Sequence, residues 1–106
     1  MTRALNIVED NLANENFSVE EFASCMNMSR SNLHLRMTTV YGSSSTSFIR
    51  RLRIEKSMEY LREGKLNIAE TAYAVGFSSA TYFATAFKQV TGMNPTEWKQ
   101  SCKLNV

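Results

Sequence analysis

Apolar residues recur along this chain every three or four positions, which is the spacing of one face of an α-helix. Leu5, Val8 and Leu12 form the first such stripe, and they predict a helix over about residues 3–13. No segment alternates apolar and polar residues for long, and the chain has a single proline. The pattern therefore predicts an all-α fold.

Capping residues divide the rest of the chain into six further helices. Helices favour Ser, Thr, Asp or Asn before their first turn and glycine just after their last. A longer helix over about residues 46–62 follows the segment GSSSTS. The sequence thus predicts seven short helices, the fourth being the longest. The other expected N-caps are Ser18, Ser29, Asn67, either Ser78 or Ser79, and Asn94 before Pro95, and the expected ends are at Asn27, Gly42, Gly64, Gly76 and Gly92.

An internal repeat groups these helices into two similar units. Residues 22–42 and 71–92 both contain a helix with a small alanine, a turn residue that tolerates left-handed backbone, a capped second helix and a final glycine. This order is typical of a helix-turn-helix. The matched pairs are Ala23 with Ala72, Asn27 with Gly76, Ser29 with Ser78 and, after an offset of one residue, Leu33 with Phe83, Met37 with Phe87 and Gly42 with Gly92.

The predicted organisation is a single domain over residues 1–106. A first helix-turn-helix lies at about 17–42, and a second at about 67–92. The linker helix joins these two subdomains, and a C-terminal helix at about 95–103 closes the chain.

The second helix of the second motif has an unusual outer face. A surface helix usually carries Lys and Glu there, whereas this one carries Ala80, Thr81, Ala84 and Thr85. Small side chains let a helix lie deep in the DNA major groove, where threonine and alanine can contact thymine methyl groups. The alternative is a helix that packs against protein on both sides.

The charge distribution favours a polyanionic partner. The net charge is only +2, but from residue 22 onward there are eleven basic residues against five acidic ones, a net charge of +6. Between residues 30 and 56 the count is six basic residues to one acidic. A basic segment of this kind suits nucleic acid, although solvated basic faces are common.

The sequence offers no catalytic or metal-binding pattern. Cys25 and Cys102 lie far apart, and two cysteines with one histidine do not make a zinc site. We read Cys25 as a small apolar helix residue and Cys102 as a residue of the tail. No enzyme activity, metal or cofactor is expected. No segment has the length of a membrane span or the layout of a signal peptide, so a cytoplasmic location without membrane contact is expected.

The second motif resembles a known family. The run VGFSSATYFATAFKQVTGMNPTEW is similar to the second helix-turn-helix of AraC-type (AraC/XylS) transcription regulators, which has a Gly-Phe turn, a Tyr-Phe pair, Phe-Lys, a glycine, and a proline before an aromatic residue. MSRSNLHLRM resembles the family's first recognition helix and FIRRLRIEKSMEYL its linker helix. The resemblance covers about residues 16–99, and MSRSNLH is similar to the output module of hybrid two-component regulators.

The resemblance implies sequence-specific binding of double-stranded DNA for bacterial transcription regulation. Two recognition helices would enter successive major grooves. Arg53 matches an arginine of the family's linker helix, with a structural salt bridge as its expected role. The expected base contacts are Arg30, Ser31, His34 and Leu35 in the first motif and Ala80, Thr81, Ala84 and Thr85 in the second, and the expected phosphate contacts are Ser29, Arg36, Ser78, Ser79, Lys88 and Lys99.

Some positions depart from the family pattern. The family often has arginine where Leu35 stands, and a basic or polar residue where this chain has Thr85 and Ala86. The preferred DNA sequence is therefore expected to differ from that of well-known members.

Further partners follow from the same resemblance. The chain resembles the C-terminal output module of a longer regulator, so RNA polymerase is a further expected partner, and dimerisation is expected through other domains. The alternative function is a helical protein-interaction module that does not bind DNA.

Overall fold

Residues 2–104, which the computed structural model describes, form seven α-helices in the predicted order. No strand occurs in this part of the chain, so the all-α prediction is confirmed. The fourth helix is the longest, as expected. The helices are α1 Thr2–Asp10, α2 Val19–Cys25, α3 Arg30–Tyr41, α4 Ser45–Glu63, α5 Ile68–Ala74, α6 Ala80–Thr91 and α7 Pro95–Leu104.

Only α1 differs clearly from its expected bounds. It ends at Asp10, three residues before the predicted end. The side-chain amide of Asn11 donates to the carbonyl of Ile7 at 2.8 Å, and the backbone N–H of Asn14 donates to the carbonyl of Asn11 at 3.1 Å. Asparagine side chains compete in this way with helical hydrogen bonds. Leu12 is nevertheless buried, so the apolar stripe continues through a turn.

Side-chain caps fix where the other helices begin. Asn67 and Glu70 form a complete capping box, in which each side chain binds the other residue's backbone N–H. Gly42, Gly64 and Gly92 end their helices in the left-handed conformation, with φ between 70° and 86°. The hydroxyls that accept a hydrogen bond from the N–H three residues later are those of Ser18, Ser29, Ser44 and Ser79.

Two separate hydrophobic cores hold the helices together. The first surrounds Phe22, Leu33 and Met37, and the second surrounds Phe83 and Phe87. Burying each of these side chains stabilises the fold by about 1.5–3 kcal/mol. The linker helix α4 serves both, since Ile49 lies in the first core and Ile54 in the second.

The molecule measures 44 × 23 × 23 Å, with its two halves joined by α4. In the N-terminal half, α1, α2 and α3 pack around the start of α4. In the C-terminal half, α5, α6 and α7 pack around the rest of α4. Among residues 2–104, no helix combines the length and apolar character needed to span a bilayer.

Candidate nucleic-acid interface

The two predicted helix-turn-helix motifs have the same turn. Asn27 and Gly76 both have left-handed backbone, with φ of 57° and 92°, and Asn27 is the only residue other than glycine with positive φ in the described chain. The turns also share two hydrogen bonds at matching positions. These run from Asn27 N to Ser24 O (3.0 Å) and Met28 N to Ala23 O (2.9 Å), and from Gly76 N to Tyr73 O (3.1 Å) and Phe77 N to Ala72 O (3.0 Å).

The caps correct one detail of the repeat. The sequence pairs Ser29 with Ser78, but the hydroxyl that caps α6 belongs to Ser79. The additional residue is therefore Ser78, which lies exposed in the turn. With Ser29 paired to Ser79, the four expected base contacts of α3 fall at the same helical positions as the four of α6.

The outer face of α3 carries three of the four base contacts expected in the first motif, whereas Arg30 lies in the first turn on the same stripe as Leu33 and Met37. Leu33 and Met37 are buried in the first core. Since a helix turns by about 100° per residue, the residues opposite them form a continuous face. Leu35 has 66% of its surface exposed, which is unusual for leucine and places an apolar group on this face. Arg30, Ser31 and His34 are also exposed.

Two residues near this face escaped the sequence analysis. Thr38 lies four residues after His34, is exposed, and donates its hydroxyl to the carbonyls of His34 and Leu35, both at 3.0 Å. Its four-residue spacing from His34 was the available signal. Glu20 of α2 accepts a hydrogen bond from Arg30 at 2.7 Å, in an ion pair with both side chains more than 60% exposed. No sequence pattern indicates this pair.

The outer face of α6 is small and weakly polar, as the sequence indicates. Ala80 and Ala84 are half-buried, whereas Thr81 and Thr85 are exposed. The Thr85 hydroxyl donates to the carbonyl of Thr81 at 3.2 Å, so its oxygen remains free to accept a hydrogen bond from a ligand. Lys88 is exposed one turn further along the same face.

The serine hydroxyls at the starts of α3 and α6 have a structural role. Ser29 accepts from the N–H of Asn32, and Ser79 accepts from the N–H of Tyr82, each at 3.1 Å. Their hydroxyl hydrogens can still donate outward. The first N–H groups of each helix also point away from the helix and favour anions.

The other expected phosphate contacts lie apart from these faces. Arg36 is exposed on the flank of α3, where it lines an apolar groove with Met28, Leu35 and Val40. Lys99 is half-buried on α7, which packs against α6. The two recognition helices therefore carry ten of the fourteen expected contacts, including Arg36 on a flank of α3, and the caps Ser29 and Ser79 adjoin them. Of the other two, Ser78 lies in the turn and Lys99 on another helix.

The linker arginines differ in their surroundings. Arg51 is exposed, and Arg50 is half-buried. Arg53 forms no salt bridge with a described carboxylate, contrary to the sequence prediction. Its Nη2 donates to the backbone carbonyl of Asn14 at 3.0 Å instead. Partial burial lowers the pKa of the Arg53 guanidinium.

The cysteines are also placed by the structure. Cys25 is a helix residue, as the sequence indicates; it ends α2 with its side chain exposed. Cys102 is half-buried in α7. Both thiols are free.

Comparison with known proteins also identifies helix-turn-helix motifs in this chain. A family model described as a helix-turn-helix domain matches residues 22–101, which include the second motif and the first motif from residue 22 onward. Histidine kinase P4 of Formosa agariphila is 31% identical over 93% of this chain and 7% of its own length. An AraC-like transcription regulator of Streptomyces antibioticus is 37% identical over 79% of this chain and 28% of its own length. The chain thus spans less than a third of either relative.

A solved structure shares the fold over almost the whole chain. The DNA-binding domain of AdpA, a global transcriptional factor solved in complex with a target DNA, superposes with a TM-score of 0.89 at 20% identity, covering 98% of this chain and 93% of that one. The family match, the relatives and the two motifs agree. The chain therefore belongs to the AraC-type family of helix-turn-helix DNA-binding domains of transcription regulators.

Proposed function

We propose that this chain reads double-stranded DNA through α3 and α6, one helix in each of two successive major grooves. The observation that carries this proposal is the equivalence of helical positions between the two sets of expected base contacts. Arg30, Ser31, His34 and Leu35 of α3 occupy the same positions after the cap as Ala80, Thr81, Ala84 and Thr85 of α6.

The dimensions of the molecule suit this arrangement. Successive major grooves on one side of B-DNA are about 34 Å apart. The molecule is 44 Å long, and its 19-residue linker helix extends about 28 Å at about 1.5 Å per residue. Modest bending of the DNA would bring both grooves into contact.

The two helices would read different chemistry. On α3, Arg30 and His34 supply hydrogen-bond donors, and Leu35 supplies an apolar contact for a thymine methyl group. On α6, Thr81 and Thr85 offer oxygen atoms and methyl groups, while Ala80 and Ala84 allow a close approach. Ser29, Ser78, Ser79, Arg36, Lys88 and Lys99 would hold phosphates and set the register without reading sequence.

The surroundings of the domain form part of the same proposal. The relative named as a histidine kinase supports a role as the output module of a longer two-component regulator. In that setting the domain works in the cytoplasm, dimerises through other domains and contacts RNA polymerase when it activates transcription.

Selection from a pool of randomised duplexes of about 30 base pairs, at two salt concentrations, tests the proposal. The expected result is a motif of two short blocks about one helical turn apart, with affinity that falls steeply as salt rises. Failure to retain DNA at low salt would overturn the proposal. That result would favour the alternative function, a protein-interaction module, for which the apolar groove beside Leu35 offers a surface.

A further inference from the structure

The turn of the second helix-turn-helix touches the N-terminal half of the molecule. Gly76 is buried, and a Cβ atom added to it would lie 2.0 Å from the carbonyl oxygen of Leu12 and 3.2 Å from Cζ and Nε of Arg53. The three other glycines have no atom within 4 Å of the same point. Gly76 is therefore required for a close contact as well as for its left-handed backbone.

Comparison with the first motif separates these two requirements. Asn27 occupies the matching position, forms the same turn and carries an exposed side chain. The turn itself thus accepts a residue larger than glycine. What sets Gly76 apart is its approach to Leu12, which belongs to the first core.

Arg53 completes this contact from the linker helix. Its guanidinium lies against Gly76 and donates to the carbonyl of Asn14, in the segment between α1 and α2. Its Nε is buried without a hydrogen-bond partner, so the bond from Nη2 to Asn14 and the packing around the guanidinium together set its position. We call the contact among Leu12, Asn14, Arg53 and Gly76 the joint.

The joint spans a gap between the two cores. A cleft of about 200 Å³ beside it is lined by Phe17 and Ile49 of the first half and by Phe77 and Tyr82 of the second. Because α4 contributes residues to both cores, rotation of the second half about that helix would move α6 relative to α3.

We infer that the joint fixes the angle between the two halves and thereby sets the number of base pairs between the two DNA blocks. Arg53 is then a positioning residue for spacing, without touching a base. This inference rests on the proposed function, but the rigidity of the joint can be measured without DNA.

The first test uses the two native cysteines, which lie in different halves. Nitroxide labels on Cys25 of α2 and Cys102 of α7 report the distance between the halves by pulsed electron paramagnetic resonance. The full chain is expected to give a narrow distance distribution, and Arg53→Met a broader one. Arg51→Met removes an exposed charge from the same helix and should leave the distribution narrow. Equal distributions in all three proteins would overturn the inference whether or not DNA binds.

The second test measures spacing selectivity. Affinities are determined for duplexes whose two selected blocks are moved apart or together by one or two base pairs. The affinity of the unsubstituted chain should fall by about tenfold or more at each wrong spacing, which is the loss typical of a mismatched base pair. Arg53→Met should bind the duplex with the best spacing a few-fold more weakly, and its affinity should fall much less at the other spacings. Arg53→Lys should restore part of the selectivity for spacing.

The two proposals fail in different ways. If the full chain binds both blocks at every spacing equally, the joint does not set the spacing and the proposed function stands. If Arg53→Met weakens binding by the same factor at all spacings, Arg53 contributes only charge or stability. If no duplex binds, the proposed function fails, and the label distances still decide whether the joint is rigid.

Discussion

At the scale of single residues, Glu20 is the side chain that competes most directly with DNA for an expected contact. Its carboxylate binds Arg30 at 2.7 Å on the outer side of the first motif. Glu20→Gln is expected to raise affinity for duplex DNA and to change its salt dependence, because the guanidinium becomes free and a repelling charge is lost. Titrations between about 50 and 200 mM salt measure both effects.

Glu21→Gln is the matched control for this prediction. Glu21 is the neighbouring acid, is also exposed, and forms no ion pair with a described side chain. Both variants should keep their stability to within about 1 kcal/mol, since exposed pairs contribute little. Equal changes in affinity for the two variants would show that only total charge matters.

Gly76 provides the second prediction at this scale. Gly76→Ala should destabilise the protein by about 3 kcal/mol or more, because it adds left-handed strain and a clash with the Leu12 carbonyl. Asn27→Ala should cost only about 1 kcal/mol, because the matching turn is open. Urea denaturation measures both, and similar losses would contradict the close contact.

The chemistry of individual residues was only partly visible in the sequence. The outer face of α6 could be read directly, since a surface helix without Lys or Glu in its first turns stands out. The role of Arg53 could not, because its partner is a backbone carbonyl 39 residues away that no side-chain pattern reveals. The role of Glu20 was not predictable either, because it pairs with Arg30 of a different helix.

At the scale of the helix, the cap of α6 makes a further prediction. Ser79→Ala should reduce the free energy of unfolding by about 1 kcal/mol, because it removes the acceptor for the Tyr82 N–H. Ser78→Ala should leave stability almost unchanged, since Ser78 lies exposed in the turn. If Ser78→Ala lowered the free energy of unfolding and Ser79→Ala did not, the cap of α6 would be Ser78, the residue that the repeat pairs with Ser29.

Helix bounds were predictable wherever a cap marked them. The cap Asn67 and the left-handed glycines at 42, 64 and 92 appear in the structure where the sequence places them. The end of α1 was not predictable from spacing, because Leu12 stays buried after the helix has stopped. Hydrogen bonds from Asn11 and Asn14 decide that end.

At the scale of the whole molecule, the two hydrophobic cores share only the linker helix α4 among the described helices, so we expect the two halves to unfold partly independently. Leu33→Ala and Phe83→Ala each remove a fully buried side chain from a different core and should each cost about 2–5 kcal/mol. Amide hydrogen exchange should then accelerate mainly in α2 and α3 for the first variant, and mainly in α5 and α6 for the second. Uniform acceleration in both variants would indicate a single cooperative unit.

The overall arrangement was predictable as far as the internal repeat extends. Two matched motifs separated by a longer helix define the order of parts. They do not define the angle between the halves, which depends on the approach of Gly76 to a carbonyl far away in the chain. A glycine required by a neighbour looks the same in a sequence as a glycine required by a turn.

The most direct test of two-groove reading is selection with one variant in each helix. Leu35→Thr and Thr85→Leu exchange the residues at matching positions of α3 and α6. The same randomised duplex pool is offered to each variant and to the unsubstituted chain, and the duplexes that each protein retains are sequenced. The account predicts that Leu35→Thr changes the preferred bases in one block and Thr85→Leu those in the other. Changes in the same block, or in neither, would contradict it.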